Sequence, residues 1–259
     1  MRILSIVLFS VGLSTVLGIV IGLLVRRIPH RMNDMVLGFA AGVMLAAAVI
    51  GLLEPAFSMS SGGITVPLAL AGTFAGAAFI AFLDRIVPHL HRLAGIDGDS
   101  GQDAKSVGKV LLFVTAIALH KIPEGIATGL SFATGSSGNA IMVAGAISLQ
   151  NIPEAAVIVS PLVAIGVKSK RILAISFGIA ALSVISVLAG CLPLFAFGSD
   201  SFHLIRPFLL GAAGGAMLFV IGNEMIPETH AHGFEKQATF ALLAGLAAVF
   251  VFQRLLPMQ

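Results

Sequence analysis

The residues of this chain best suited to chemistry are His120, Lys121 and Glu124, followed by Gln150, Asn151 and Glu154. Each set puts ionisable or amide groups inside a stretch otherwise apolar enough for lipid. The first reads His-Lys-Ile-Pro-Glu-Gly from residue 120, and the second reads Gln-Asn-Ile-Pro-Glu from residue 150. On a helix His120 and Glu124 are four residues apart and share a face, as do Gln150 and Glu154. Two such helices side by side would gather four nitrogen or oxygen donors, enough to hold a metal ion. A proline, Pro123 or Pro153, precedes each glutamate; it removes an amide donor and frees the carbonyl four residues back, at Leu119 and Leu149. Inside a bilayer a freed carbonyl needs a neighbouring helix or a wet cavity.

The elements that must carry these groups are membrane spans. Of 259 residues 58% are apolar and only 10% charged, with a mean hydropathy of +1.05, whereas soluble domains carry about 25% charged residues. Apolar runs near 3–25, 35–53, 64–83, 107–133, 139–167, 172–197, 204–227 and 238–256 predict eight spans. The expected fold is therefore all-α, a polytopic membrane protein forming one transmembrane domain over residues 1–259. A cytoplasmic loop is expected at about 88–106, solvated and able at most to gather an ion in passing. The first run has no small-residue cleavage site and reads as a retained span. The single cysteine, Cys191, excludes an internal disulfide framework and a thiolate metal cluster. Eleven Lys and Arg residues fall in the odd-numbered loops against three on the other side, which puts both termini outside the cytoplasm. The net charge of +3 follows the membrane rather than a basic stripe, so no nucleic-acid partner is expected.

Depth singles out the two motifs. His120 lies eleven residues beyond Lys109 at the inner end of the fourth span, about 16 Å along a helix. Glu154, counted back from Lys168, lies about 21 Å in. Half of a hydrocarbon core is about 15 Å, so both motifs sit near the midplane, where a carboxylate is costly and functional by default. A neutral histidine bonded to a carbonyl, a bridging glutamine and a structural Lys121–Glu124 pair would explain part of the pattern. They leave Glu154 without a partner. A site of one imidazole, two carboxylates and an amide carbonyl suits zinc and admits iron(II), manganese(II) or cadmium.

The chain also repeats itself. Gly38–Leu45 in the second span and Gly211–Leu218 in the seventh agree at five of eight positions, and Thr73-Phe74-Ala75 recurs as Thr239-Phe240-Ala241. With the fourth and fifth spans related too, and partners crossing in opposite directions, this is an inverted repeat, common in carriers with a midplane site. Met44 and Met217 hold equivalent positions, as packing or as an apolar gate.

These motifs resemble those of the ZIP family of divalent-metal transporters, in particular its GufA-like branch. The likeness rests on His120–Gly125, Gln150–Glu154, Gly38–Leu45 with Glu54-Pro55, and Glu224-Met225-Ile226-Pro227-Glu228-Thr229-His230. It implies an eight-helix bundle arranged three, two, three, with His120, Glu124, Gln150 and Glu154 coordinating a transported ion. It also implies movement into the cytoplasm by alternating access, with zinc or a similar cation as substrate and no cofactor. Many members have asparagine after the histidine of the fourth span and hold a second metal; here that position is Lys121. Asn151 and a sixth span without an acidic residue depart in the same direction, and a single ion with Lys121 as internal counter-charge is expected. Glu54 near the outer end could attract cations. Glu224, Glu228, His230, His232 and Glu235 cluster at the inner end as an exit region, a second metal site or a cap.

The expected partners are a divalent metal ion and the lipid bilayer of a bacterial inner membrane; a homodimer stays open. Two rivals remain at this stage. An intramembrane metallohydrolase would need an open coordination position and a separate base, and both glutamates are already committed as ligands. A metal sensor would bind the ion without moving it.

Overall fold

In the computed structural model residues 2–25, 28–58, 64–93, 102–133 and 137–255 are described, and nearly all of them are helical. The elements are α1 (Arg2–Val25), α2 (His30–Ala48), a π-turn (Val49–Leu53), α3 (Glu54–Ser58), α4 (Thr65–Leu93), α5 (Gln102–Ala133), α6 (Ser137–Ala164), α7 (Ser169–Val220), a second π-turn (Ile221–Met225), α8 (Ile226–Thr229) and α9 (Glu235–Leu255). Among the described residues seven stretches are long and apolar enough to cross a bilayer. The chain is an integral membrane protein. The remaining expected span is α5, whose middle carries His120, Lys121 and Glu124.

Two boundaries differ from expectation. The helices α4 and α5 extend to Leu93 and from Gln102, so both ends of the expected 88–106 loop are helical; residues such as Ala104 and Lys105 are good helix formers. Residues 94–101 lie outside the described ones. The expected break between the sixth and seventh spans is also helical, within the 52-residue α7. A straight rod of that length would be about 78 Å, more than twice a hydrocarbon core. It therefore supplies one whole span, Ser169–Ala196, and most of the next, Phe202–Thr229, which runs on through the second π-turn and α8.

Small residues set the packing. A Cβ at Gly42 would collide with the Leu242 carbonyl of α9, and one at Gly215 with the Thr73 carbonyl of α4. In hydrocarbon no hydrophobic effect draws helices together, and such close backbone approach supplies the attraction. The major contacts are α2 with α9, α4 with α7, α1 with α6, and α5 with α7. Exchanging the two triplets, and α5 with α6, maps this set onto itself, as the duplicated sequence demands. The central pair is clamped the same way: Gly18 of α1 meets the Ile152 carbonyl, and Gly125 of α5 meets Ser186. The buried serines of the sixth span thus allow close approach to α5.

Candidate metal centre

The prolines of α5 and α6 leave both helices continuous, and the motif side chains meet between them. Lys121, Glu124, Gln150, Asn151 and Glu154 are all buried, none more than 3% exposed. The Lys121 ammonium donates to Glu124 Oε2 at 2.8 Å, to Asn151 Oδ1 at 2.8 Å, and to Glu154 Oε2. The two glutamates, 30 residues apart in sequence, therefore touch one common atom. Gln150 Nε2 donates to Glu124 Oε1 at 2.6 Å. Asn151 is held by a donation from its Nδ2 to Ser14 Oγ of α1 at 3.3 Å, which turns its carbonyl oxygen toward the lysine.

Such a cluster is stable only because it is mutually paired. Removing either sign from a buried ion pair costs about 3–5 kcal/mol, since the survivor is left desolvated. One acceptor stands apart: Gln150 Oε1 is buried without a partner. A buried carbonyl oxygen on a side chain already bonded to Glu124 suits a cation.

His120 takes a different direction from its motif partners. Its Nε2 lies 2.7 Å from Glu224 Oε2, in the second π-turn. Asp84 of α4 lies near both Glu224 and His120, a fourth acidic group that sequence reasoning missed because it stands one residue past the apolar run at 64–83. Among the described residues no three His, Cys, Asp or Glu side chains form a ready-made metal cage. The reason is visible: Lys121 fills the space between the glutamates, and His120 is drawn to Glu224.

A cavity of 420 Å³ reaches the cluster, lined among others by His120, Glu154, Asn223, Glu224 and Glu228. A second, of 310 Å³, shares Glu228 and is lined by Ile28, His30, Ala164 and His232, beside the loops that carry the excess of Lys and Arg. Glu224 and Glu228 thus face the cavities. His230 does not line either one; its Nδ1 lies 2.8 Å from the Ile226 carbonyl and its Nε2 3.3 Å from Thr239 Oγ1. Toward the other end Met44 and Met217 are fully buried in one apolar cluster with Leu52, Met142, Val143 and Ile147. Glu54 is exposed just beyond the first π-turn.

An all-α bundle with duplicated halves and a charged cluster buried between its two central helices defines a polytopic membrane protein of carrier type. The ZIP zinc transporter family matches residues 88–253. The chain is 35% identical over 241 residues to the zinc transporter ZIPB of Bordetella bronchiseptica, covering 90% of this chain and 75% of that one. It is 33% identical over 245 residues to the zinc transporter GufA of Myxococcus xanthus, covering 93% of each, and 28% identical over 252 residues to the zinc transporter ZupT of Chlorobium chlorochromatii, covering 93% and 92%. The chain belongs to the ZIP family. Membership of a family of transporters sets the hydrolase reading aside.

Proposed function

We propose that this protein carries divalent metal ions, zinc foremost, through a single midplane site, and that Lys121 stands where a second ion would otherwise lie. His120, Glu124, Gln150 and Glu154 are the ligands in this reading. Convergence of Glu124 and Glu154 on the Lys121 ammonium carries it, because the two carboxylates are already within reach of one small cation. Two glutamates and one lysine leave a net negative charge when the site is empty; a dication reverses it to one positive. Binding requires the ammonium to give up at least one carboxylate while keeping Asn151, and His120 to turn from Glu224. Iron(II), manganese(II) and cadmium fit the same donors.

The cavities lead from Glu154 past Glu224 and Glu228 toward the basic loops, which supports release into the cytoplasm by alternating access, with both termini outside. The relatives from Bordetella and Myxococcus, named zinc transporters, favour zinc and a bacterial inner membrane. Protein reconstituted in liposomes should move zinc or cadmium, and Glu124→Gln or Glu154→Gln should abolish that flux. Binding that persists without any flux in the native chain would favour a sensor. Lys121→Asn should raise the number of bound ions from one toward two; an unchanged number refutes the role given to the lysine.

A further inference from the structure

The central cluster is anchored on α1 by a chain of hydrogen bonds whose directions are all fixed. Ser14 is buried in the middle of α1, and its Oγ donates its only proton to the Val11 carbonyl at 2.9 Å. Toward any other group that oxygen can therefore only accept. The group it meets is Asn151, at 3.3 Å, which must present its Nδ2 to the serine and so turns its Oδ1 to the Lys121 ammonium, 2.8 Å away. All three protons of the ammonium are then placed, two on acceptor-only carboxylates and one on the Asn151 oxygen. Gly18, one turn after Ser14 on the same face, makes the reach possible, because its missing Cβ leaves room for the Ile152 carbonyl next to Asn151.

We propose that Ser14 is a positioning residue for ion binding: it locks the Asn151 amide so that the Lys121 ammonium keeps one fixed acceptor when a metal ion takes the glutamates. Of the three groups around the ammonium, Asn151 is the one that is not a ligand in the carrier reading. An ion on Glu124 and Glu154 withdraws carboxylate oxygens from the lysine, and a buried ammonium short of acceptors is costly. A free amide would spend part of its time with Nδ2 toward the ammonium, where two donors face each other. In the empty site the carboxylates hold the ammonium whichever way the amide points, so the lock favours the loaded site and tightens ion binding. It also keeps the Asn151 oxygen on the lysine, leaving Gln150 as the amide ligand. A merely structural tie between α1 and α6 would, when cut, lower stability and leave the affinity for the ion unchanged.

The inference rests on the carrier reading, and the test separates the two. Zinc binding to the purified full-length protein is measured by titration calorimetry, with no flux required. Ser14→Ala should weaken binding about fivefold, the worth of one hydrogen bond. Asn151→Ala should weaken it about tenfold or more, since the bond lost there is to a charged group, and in that background Ser14→Ala should add nothing. Unchanged or tighter binding by S14A, or the same loss whether or not Asn151 is present, overturns the proposal. Should S14A fail to fold, S14C, close in size and with a far weaker acceptor, is read in the same way. Zinc that binds the native protein but is not moved across liposomes sinks the carrier reading and leaves the role of Ser14 standing.

Discussion

The two π-turns occupy matching places in the duplicated halves and have opposite surroundings. In the first, Val49–Leu53, both Gly51 and Leu52 are buried, Val143 of α6 packs on Gly51, and Asn139 of α6 donates to the Gly51 carbonyl at 3.1 Å. In the second, Ile221–Met225, Asn223 and Glu224 line the cavity that leads to the central cluster. Proline follows each turn, Pro55 and Pro227, and removes the amide that would bond the carbonyls of Gly51 and Asn223. One freed carbonyl is covered by a side chain; the other borders open space. A duplicated chain whose equivalent segments differ in this way is asymmetric by conformation, as the proposed alternation between a sealed and an open end requires.

The symmetric part of the comparison breaks first. Gly42 and Gly215 hold equivalent positions, and each faces a carbonyl of the helix packed against it. Gly42→Ala and Gly215→Ala should each cost about 3 kcal/mol or more, because backbone rather than a flexible side chain must move. Loss of the monodisperse peak in detergent is the measurement. Tolerance of either would mean that the two halves do not share one packing scheme.

Next comes access. In a Cys191→Ser background, Asn223→Cys should react with a hydrophilic thiol reagent at least about tenfold faster than Leu52→Cys, since buried thiols are inert. Equal rates would erase the difference between the ends. A smaller effect contrasts the glycines within the turns. Gly51→Ala crowds Val143 and should cost about 1–2 kcal/mol, whereas Gly222, with nothing near its missing Cβ, should accept alanine without loss. Thermal unfolding of the two variants gives the ordering.

Much of this was legible in the residues. Spans, duplication and the convergence of Glu124 and Glu154 follow from apolar run length, repeated small residues and the four-residue spacing on helices. The finer wiring was not, because it depends on rotamers. Lys121 beside both glutamates was expected as an internal counter-charge, but nothing in the pattern says that Asn151 shares its ammonium, or that His120 turns to Glu224 rather than staying with its motif partners. Asp84 went unnoticed because it stands one residue outside an apolar run, where a carboxylate reads as a solvated helix end. The π-turns leave no mark in hydrophobic periodicity, since each adds a single residue to a turn of an already apolar helix.

The smallest prediction isolates what keeps the first π-turn shut. The bond from Asn139 to the Gly51 carbonyl links α6, a helix of the central pair, to the first π-turn, beside the apolar cluster that holds Met44. Its loss in Asn139→Ala should cost the sealed state about 1 kcal/mol, a shift of about fivefold toward opening. The thiol at Leu52→Cys should then react about fivefold faster, while Asn223→Cys, already open, should barely change or slow slightly. Were the sealed end held by apolar packing alone, Asn139→Ala would leave both rates as they were. Were the two ends independent rather than alternating, Leu52→Cys would quicken with no compensating fall at Asn223→Cys even when Asn139→Ala is combined with Gly51→Ala to push the opening further.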